Sequence, residues 1–441
     1  MADIDSKDTK VLNPVTPHHD LEFGGHIGTF GLNFITPFAI YFLYFTTSAH
    51  SGCPPPLSTW FGRFLAGSWL DELFDAQAFK AYAAWYAFTV ACWYILPGEW
   101  VEGAAMRDGK KKLYKLNGFS TLLLSLGLVL GRIIHAGPQS FTFIYDHYLG
   151  LITASLAMSI AQALYCQAVS YWNTDERLMA LAGNSGRFFY DFWMGRELNP
   201  SIGSFDIKTF NELRPGLILW MIIDISMACE QYTRDGYLAA SMILVVVFHS
   251  IYVIDALYNE TAIFTQMDIT TDGFGFMLSL GDLAWVPFTY SLQARYLAFH
   301  PTELSTLAVL AIIGLEVGGY YIFRAANLEK EWFRAGKNPR NLTSMKTERG
   351  TALLTSGWWG RSRHPNYLGD WTMAWAWCLP TGFDTPFTYF YVIYFAILLV
   401  HRQRRDDDAC KKKYGKDWDR YCEIVKSRII PYLVSFFPLL T

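Results

Sequence analysis

Charged residues are scarce in this sequence. Only 17% of its 441 residues are Asp, Glu, Lys or Arg, whereas typical soluble domains contain about a quarter. Hydrophobic residues make up 52% and aromatic residues 17%. A soluble chain of this length would divide into several domains, and each would need a polar surface that this composition does not supply. The composition excludes a soluble multidomain enzyme, a disordered chain and collagen, and it predicts an all-α, polytopic membrane protein.

Strong net charge and paired cysteines are also missing. The formal net charge is only -3, so a nucleic-acid partner is not expected. The seven cysteines form no CxxC pair, and we interpret them, Cys53 included, as free thiols, neither disulfides nor metal ligands. The first 26 residues lack a basic start followed by an apolar stretch, so no removable signal peptide is predicted.

The motifs of soluble nucleotide-binding folds are absent as well. No GxGxxG follows a predicted strand, and neither a Walker A motif nor HExxH occurs. Any nucleotide must therefore be held by membrane helices and their cytoplasmic ends.

What the sequence does contain is a series of apolar runs long enough to cross a membrane, which takes about 20 residues. We predict ten transmembrane helices from these runs. The predicted spans are 27–46, 78–98, 117–135, 142–169, 214–230, 237–258, 274–299, 303–323, 368–383 and 384–400.

The basic residues assign the sides of the membrane. With the amino terminus in the cytoplasm, 30 Lys and Arg lie in the inside segments and only Arg63 and Arg234 in the outside loops. This asymmetry follows the positive-inside rule and places both termini in the cytoplasm. We predict a cytoplasmic tail at 1–26 and a single membrane domain at 27–441.

Ionisable residues occur inside the predicted spans, where charge is costly and normally faces a partner or a cavity. They either form structural pairs between helices or line a buried polar site. The crowding of Asp282, Arg295 and Glu316 on two consecutive spans favours a cavity. The full set is Asp224, Glu230, His249, Asp255, Asp282, Arg295, Glu316 and Asp370.

Three polar segments on the cytoplasmic side are candidates for chemistry. They are GRFFYDFWMGRELNP at 186–200, WWGRSRHPNYLGDW at 358–371 and HRQRRDDDACKKKYG at 401–415. Guanidinium groups bind phosphate in bidentate fashion, so the second and third segments, with Arg361, Arg363, Arg402 and Arg405, resemble two walls of an anion site. The alternative is flanking charge that contacts anionic lipids.

These segments resemble the sterol reductase family. The segment 186–200 matches one family signature, with Phe189 at a usually aliphatic position and Ser201 where Arg is usual, and 401–415 matches the other signature, which ends in CxxKYG. Further matches are RPG at 214–216, TDGFGF at 271–276 and WVPFTYSLQA at 285–294. The resemblance runs from about residue 20 to the end and is strongest to C14 sterol reductases.

The resemblance implies an NADPH-dependent enzyme that reduces a sterol ring double bond, C14=C15 above all, in sterol biosynthesis. It implies a cofactor-binding part at about 324–441, to which the anion-site argument adds Arg402. The cofactor positions are Lys330, Arg334, Leu354, Trp359, Asn366, Tyr367, Asp406, Cys410, Lys411, Lys412, Lys413, Tyr414 and Tyr421. The expected partners are NADPH, membrane lipids and a sterol from the bilayer.

The reaction also needs a proton donor, either a buried acid or a Tyr polarised by one. The candidates are Tyr290, Asp282 and Glu316. On a regular helix, Asp282 and Tyr290 would lie roughly 80° apart around the axis, so they would share one side loosely.

Other functions stay open at this point. The chain is a candidate for reducing another sterol double bond, delta(7) or delta(24), or for a membrane methyltransferase using S-adenosylmethionine, because RHPxYxG at 363–369 also resembles isoprenylcysteine carboxyl methyltransferases. A transporter and a catalytically silent homologue are further alternatives. The expected location is the endoplasmic reticulum membrane in a eukaryote or the inner membrane in a bacterium.

Overall fold

The computed structural model describes residues 12–47, 57–67, 72–172 and 177–432. Six cysteines are free thiols: Cys92, Cys166, Cys229, Cys378, Cys410 and Cys422. Cys53 and the first eleven residues of the predicted tail lie outside the described residues. The chain forms two compact units, the first made of residues 1–238 and 249–300, and the second of 239–248 and 301–441.

The first unit contains most of the helices. Up to residue 235 they are α1 (Gly25–Thr46), α2 (Leu57–Ala66), α3 (Ala76–Ile95), α4 (Gly118–Ala136), α5 (Phe143–Asp146), α6 (Tyr148–Val169), α7 (Phe188–Met194), α8 (Ile207–Leu213) and α9 (Pro215–Asp235). They continue with α10 (Ala240–Tyr258), α11 (Met267–Thr270), α12 (Phe276–Leu280), α13 (Val286–Thr289) and α14 (Leu292–Phe299). The first residues of α10 belong to the second unit. Short 3-10 helices cover His18–Asp20, Pro138–Phe141 and Glu260–Thr265, and a π-helix covers Gly281–Trp285.

The second unit is built on a long helix, α15 (Thr306–Arg334), with α16 (Pro365–Cys378), α17 (Phe390–Tyr414) and α18 (Lys416–Ile424). Short 3-10 helices cover Leu379–Thr381 and Phe387–Tyr389. Helices α15 and α16 approach closely at Gly369. A Cβ on this residue would lie only 2.5 Å from the backbone nitrogen of Phe323.

Strands are few and short. The pairs are β1 (Glu99–Ala105) with β2 (Lys111–Leu116), β3 (Ser201–Ile202) with β4 (Phe205–Asp206), and β5 (Ser344–Lys346) with β6 (Ala352–Leu354), each antiparallel. All three hairpins lie in segments that the basic residues assign to the cytoplasm. The prediction of an all-α fold is confirmed, since each of the ten predicted spans is mostly helical.

The outer faces of the long helices are apolar. Ile27 on α1, Ile134 on α4 and Leu307 on α15 are 88%, 84% and 78% exposed, whereas the buried positions of α15 include Glu316 and Glu329. An apolar exterior around a partly polar interior suits a lipid environment. By length and composition, five of the described helices can cross a membrane: Gly25–Thr46, Gly118–Ala136, Tyr148–Val169, Ala240–Tyr258 and Thr306–Arg334.

The seventh predicted span is not a regular helix, so the angle that a regular helix would give between Asp282 and Tyr290 does not apply. The segment runs α12, π-helix, α13 and α14, with a break at 290–291. Pro287 removes the N–H that would bond the carbonyl of Leu283, and the Tyr82 hydroxyl donates to that carbonyl at 2.9 Å instead. The break therefore has a satisfied backbone and belongs to the fold.

Candidate functional site

The predicted cofactor residues all belong to the second unit. Lys330 and Arg334 lie on the last turns of α15, which continues beyond the predicted span. Leu354 ends β6, Trp359 lies in the following loop, and Asn366 and Tyr367 open α16 after Pro365 at its first position. Arg402, Asp406 and the run 410–414 lie on α17, and Tyr421 lies on α18.

The side chain of Trp359 joins α15 to the loop. Its indole N–H donates a 2.7 Å hydrogen bond to the carbonyl of Ala326, and the ammonium of Lys330 lies 4.2 Å from the ring centroid. A cation over an aromatic face is an attractive arrangement, and it places a charge beside a flat ring. Arg334, one turn further on, is exposed.

A hydrogen bond of 2.8 Å runs from the hydroxyl of Tyr367 to the carboxylate of Asp406. It connects the HPNY turn to the acidic run of α17. The ring of His364 stacks on Tyr367 with centroids 4.8 Å apart. The sequence predicts Tyr367 and Asp406 as separate cofactor residues, and the structure brings them together.

Two buried polar atoms beside this pair have no hydrogen-bond partner among the described residues: Nε2 of His364 and Oδ1 of Asn366. Burial, and then the charges of Lys330, Arg363 and Arg402, lower the pKa of His364 to about 3. The imidazole is therefore neutral at physiological pH. Buried polar atoms are normally paired, so these two atoms are suited to a polar ligand.

These surroundings fit NADPH. Lys330 supplies a cation for phosphate, Trp359 a flat ring, and His364 and Asn366 polar atoms that need partners. That the cofactor is held at the ends of membrane helices stays a prediction.

Two arginines of the predicted anion walls differ in their surroundings. Arg361 is exposed and lies 4.8 Å from the Trp358 ring. Arg363 is buried, donates to the sulfur of Cys422 at 2.6 Å and lies 3.6 Å from Asp407. Its partners, which sequence reasoning missed, show that Arg363 links the loop to α17 and α18.

The remaining predicted residues belong to a cluster at α18, to the end of α17 and to β6. Tyr421 is 4% exposed, packs with Trp418 and Val425, and donates to the carbonyl of Trp359 at 3.4 Å. Cys410 and Tyr414 contact the same cluster. Lys411, Lys412 and Lys413 are exposed, with Lys411 paired to Asp419, and Leu354 is buried.

The three candidate proton donors have different surroundings. Asp282 lies in the π-helix, and its Oδ2 is buried without a hydrogen-bond partner in the described part of the chain. Tyr290 follows α13, with its ring edge-on to Trp220 at 5.4 Å. Glu316 belongs to the second unit and accepts a 3.1 Å hydrogen bond from Trp377.

Other ionisable groups of the spans are engaged locally. Asp224 and His249 form a fully buried pair at 2.8 Å, and Arg295 lies 4.2 Å from the ring of Tyr44 and 4.7 Å from that of Tyr148. These contacts support the interpretation that Asp224, His249 and Arg295 form structural contacts between helices and do not line a buried polar site.

The segment 186–200 has a structural task. A Cβ on Gly195 would lie 2.3 Å from the nitrogen of Gly275, and one on Gly273 would lie 1.9 Å from the carbonyl oxygen of Gly195. The TDGFGF run therefore packs backbone to backbone against this segment. The carboxylate of Asp191 is fully buried and accepts from the backbone N–H groups of Ser185 and Gly186.

Comparison with known proteins gives the same relationship along the chain. The model of the ergosterol biosynthesis ERG4/ERG24 family matches residues 18–434. The chain is 48% identical to delta(14)-sterol reductase erg24 of Schizosaccharomyces pombe, over 94% of this chain and 97% of the relative.

Two further relatives carry the same name. Delta(14)-sterol reductase ERG24 of Candida albicans is 45% identical, over 96% of this chain and 99% of its own. ERG24 of Saccharomyces cerevisiae is 40% identical, again over 96% and 99%. The chain belongs to the ergosterol biosynthesis ERG4/ERG24 family, the membrane sterol reductases that its motifs predict.

Proposed function

We propose that the protein is a delta(14)-sterol reductase that uses NADPH to reduce the C14=C15 double bond of a sterol. The relatives that share this name over nearly the whole chain carry the proposal. The pairing of Lys330 with Trp359 and of Tyr367 with Asp406 supports it, because these are four of the predicted cofactor residues.

Lys330 and Arg334 would hold the 2′-phosphate of NADPH, because their cationic ends follow one another by four residues on α15. Trp359, Asn366 and Tyr367 would hold the rest of the nucleotide, with Arg402 and Asp406 beside them. When bound, NADPH supplies the hydride.

The reaction adds one proton and one hydride across the double bond, at C15 and C14 respectively. An isolated ring alkene is a poor electrophile, so the protein has to deliver the proton first and shield the cationic carbon from water. Tyr290 is the preferred donor, because a neutral phenol costs less to bury than a carboxylate. Asp282 would polarise it, and Glu316 is the further candidate.

The sterol comes from the bilayer, since the substrate is as apolar as the membrane, and lipids surround the apolar helix faces. In a eukaryotic cell this membrane would be the endoplasmic reticulum, and in a bacterium the inner membrane. The relatives favour reduction over methyl transfer, because each of the three is named a reductase.

A sterol profile of C14-reductase-deficient yeast expressing the full chain tests the proposal. We expect sterols with a C14=C15 bond to disappear and their saturated products to form. Persistence of these sterols in cells that contain the protein in their membranes would contradict the proposal. Loss of delta(7) or delta(24) bonds instead would identify the other reductase activity.

A further inference from the structure

A groove of about 450 Å³ opens on the first unit, and none of its lining residues is named above for the cofactor or the proton. It is lined by Leu164, Gln167, Ala168, Tyr171, Trp172 and Phe188. The first four positions follow the helical spacing of one face of α6 and its continuation. The basic residues place this end of α6 on the cytoplasmic side, at the membrane boundary.

The mouth of the groove is apolar. Tyr171, Trp172 and Phe188 are 53%, 64% and 52% exposed, and none of the six lining side chains carries a charge. A volume of about 450 Å³ lies within the range of about 300–1,000 Å³ that small-molecule sites have. The groove is therefore suited to an uncharged, mostly apolar ligand.

One buried polar group lies in this lining. Gln167 is only 5% exposed, and its amide N–H donates to the carbonyl of Phe188 at 3.3 Å. Its Oε1 is buried and has no hydrogen-bond partner within the described residues. A buried acceptor without a partner is unfavourable, so the groove favours a ligand that carries a hydrogen-bond donor.

Tyr171, Trp172 and Phe188 form an aromatic wall of the groove, and Arg196 contacts this wall at Tyr171. The guanidinium of Arg196 lies 4.0 Å from the ring centroid of Tyr171, and it donates to Ser170 and to Asn184, each at 3.1 Å. Arg196 belongs to the signature segment 186–200. Contacts within the protein thus hold the ring of Tyr171 in position.

We propose that this groove binds a sterol by its hydroxyl end, with the O–H donating to Oε1 of Gln167 and the rings lying against the aromatic wall. A sterol is a rigid apolar body with a single O–H donor, which matches one acceptor in an uncharged groove. Acyl chains offer no donor, and phospholipid head groups bring charges that no lining residue balances. The groove contacts the hydroxyl of the sterol and does not distinguish a ring double bond from a single bond. It therefore accepts the substrate and the product of the reduction alike. The choice of a sterol rests on the proposed function.

Photoaffinity labelling of the full chain in nanodiscs, without NADPH, tests this site. A sterol with a diazirine on its rings and a free hydroxyl is the probe, and ergosterol and its 3-O-methyl ether are the competitors. We expect labelled peptides within residues 164–188, competition by ergosterol and at least threefold weaker competition by the ether. Gln167→Leu should lower this labelling about three- to tenfold, the range for one lost hydrogen bond.

A steric pair of variants separates the groove from the general membrane surface. Leu164→Trp should fill the groove and abolish the labelling, whereas Ile160→Trp, one turn earlier on an exposed position outside the lining, should leave it unchanged. Labelling spread evenly over exposed helices, equal competition by the ether, or competition by phosphatidylethanolamine would overturn the proposal. A chain that labels here but reduces no sterol would refute only the proposed function, and one that reduces sterol without this labelling would refute only the groove.

Discussion

The hydroxyl of Tyr367, at the first turn of α16, donates a 2.8 Å hydrogen bond to the carboxylate of Asp406 on α17. The two residues lie 39 positions apart in the chain and belong to different sequence motifs. Tyr367 is 9% exposed, so the donor side of the bond is buried, while the Asp406 side chain is 28% exposed. It fixes the HPNY turn against α17 beside the atoms that suit NADPH.

Tyr367→Phe should weaken NADPH binding about tenfold or more, because it removes the hydrogen bond that fixes the HPNY turn in the position proposed for binding. A hydrogen bond to a charged group is worth about 1.5–3 kcal/mol. The dissociation constant of NADPH for the purified protein measures this. Tyr321→Phe is the matched control, since Tyr321 in the same unit is 59% exposed and should bind NADPH as the parent does. Equal affinities in all three proteins would remove Tyr367 from the cofactor site.

His364 predicts a pH dependence of stability. Its pKa is about 3 in the folded chain and about 6.5 when unfolded, so between these values the unfolded chain binds more protons. Stability should therefore rise with pH from about 3 to 6.5 and gain nothing from this group above that. Melting temperatures in detergent at pH 4.5 and 7.5 measure the effect.

His364→Asn should reduce the difference between these two melting temperatures, because it removes the titrating group. The control is His135→Asn, at an exposed position, which should keep the parental difference. An unchanged difference in His364→Asn would show that His364 is not held neutral.

The close contact between Gly195 and Gly275 predicts that the segment 186–200 and the TDGFGF run tolerate no side chain between them. Gly195→Ala would place a Cβ 2.3 Å from the nitrogen of Gly275, and overpacking of this kind costs about 1–3 kcal/mol or more. Gly186→Ala is the matched control, because its φ of +78° resembles the +81° of Gly195 while nothing lies within 4 Å. Both variants carry the same backbone strain, so their difference in melting temperature isolates the packing. Equal melting temperatures would contradict the close contact.

Much of the helical architecture was predictable, because a helix that crosses a membrane requires an apolar run of about 20 residues, and such runs are visible in the sequence. The ten spans and the family signatures came from such local patterns. The irregular seventh span did not, although Pro287 was visible, because the hydroxyl that satisfies Leu283 comes from Tyr82 on α3. Pairings across hundreds of positions leave no periodic signal.

The motif RPG at 214–216 illustrates the same difference. The sequence identified it, but not its reason: Arg214 is buried against Glu260 at 2.6 Å, and a Cβ on Gly216 would lie 1.6 Å from the carbonyl of Asp282. Likewise, the guanidinium of Arg363 placed it in a predicted anion wall, and the structure adds contacts with Asp407 and Cys422 that the sequence did not indicate. Residue type predicted the chemistry of these groups, and tertiary packing selected their partners.

The proton donor is tested by Tyr290→Phe. If Tyr290 delivers the proton, turnover should fall by about two to four powers of ten, the usual share of general acid catalysis, while NADPH binding stays at the parental value. Asp282→Asn and Glu316→Gln, measured in parallel, identify the donor by the same pattern. Parental turnover in Tyr290→Phe would exclude Tyr290 as the donor and leave Asp282 and Glu316.

The central claim is reduction of C14=C15 with a hydride from NADPH, and isotope transfer tests it most directly. Purified protein in nanodiscs would be given a sterol with a C14=C15 bond and NADPH deuterated at the transferred position. The account predicts one deuterium per product molecule, located at C14 by NMR, and a solvent-derived hydrogen at C15. A product without deuterium, or with deuterium at any other carbon, would contradict the account.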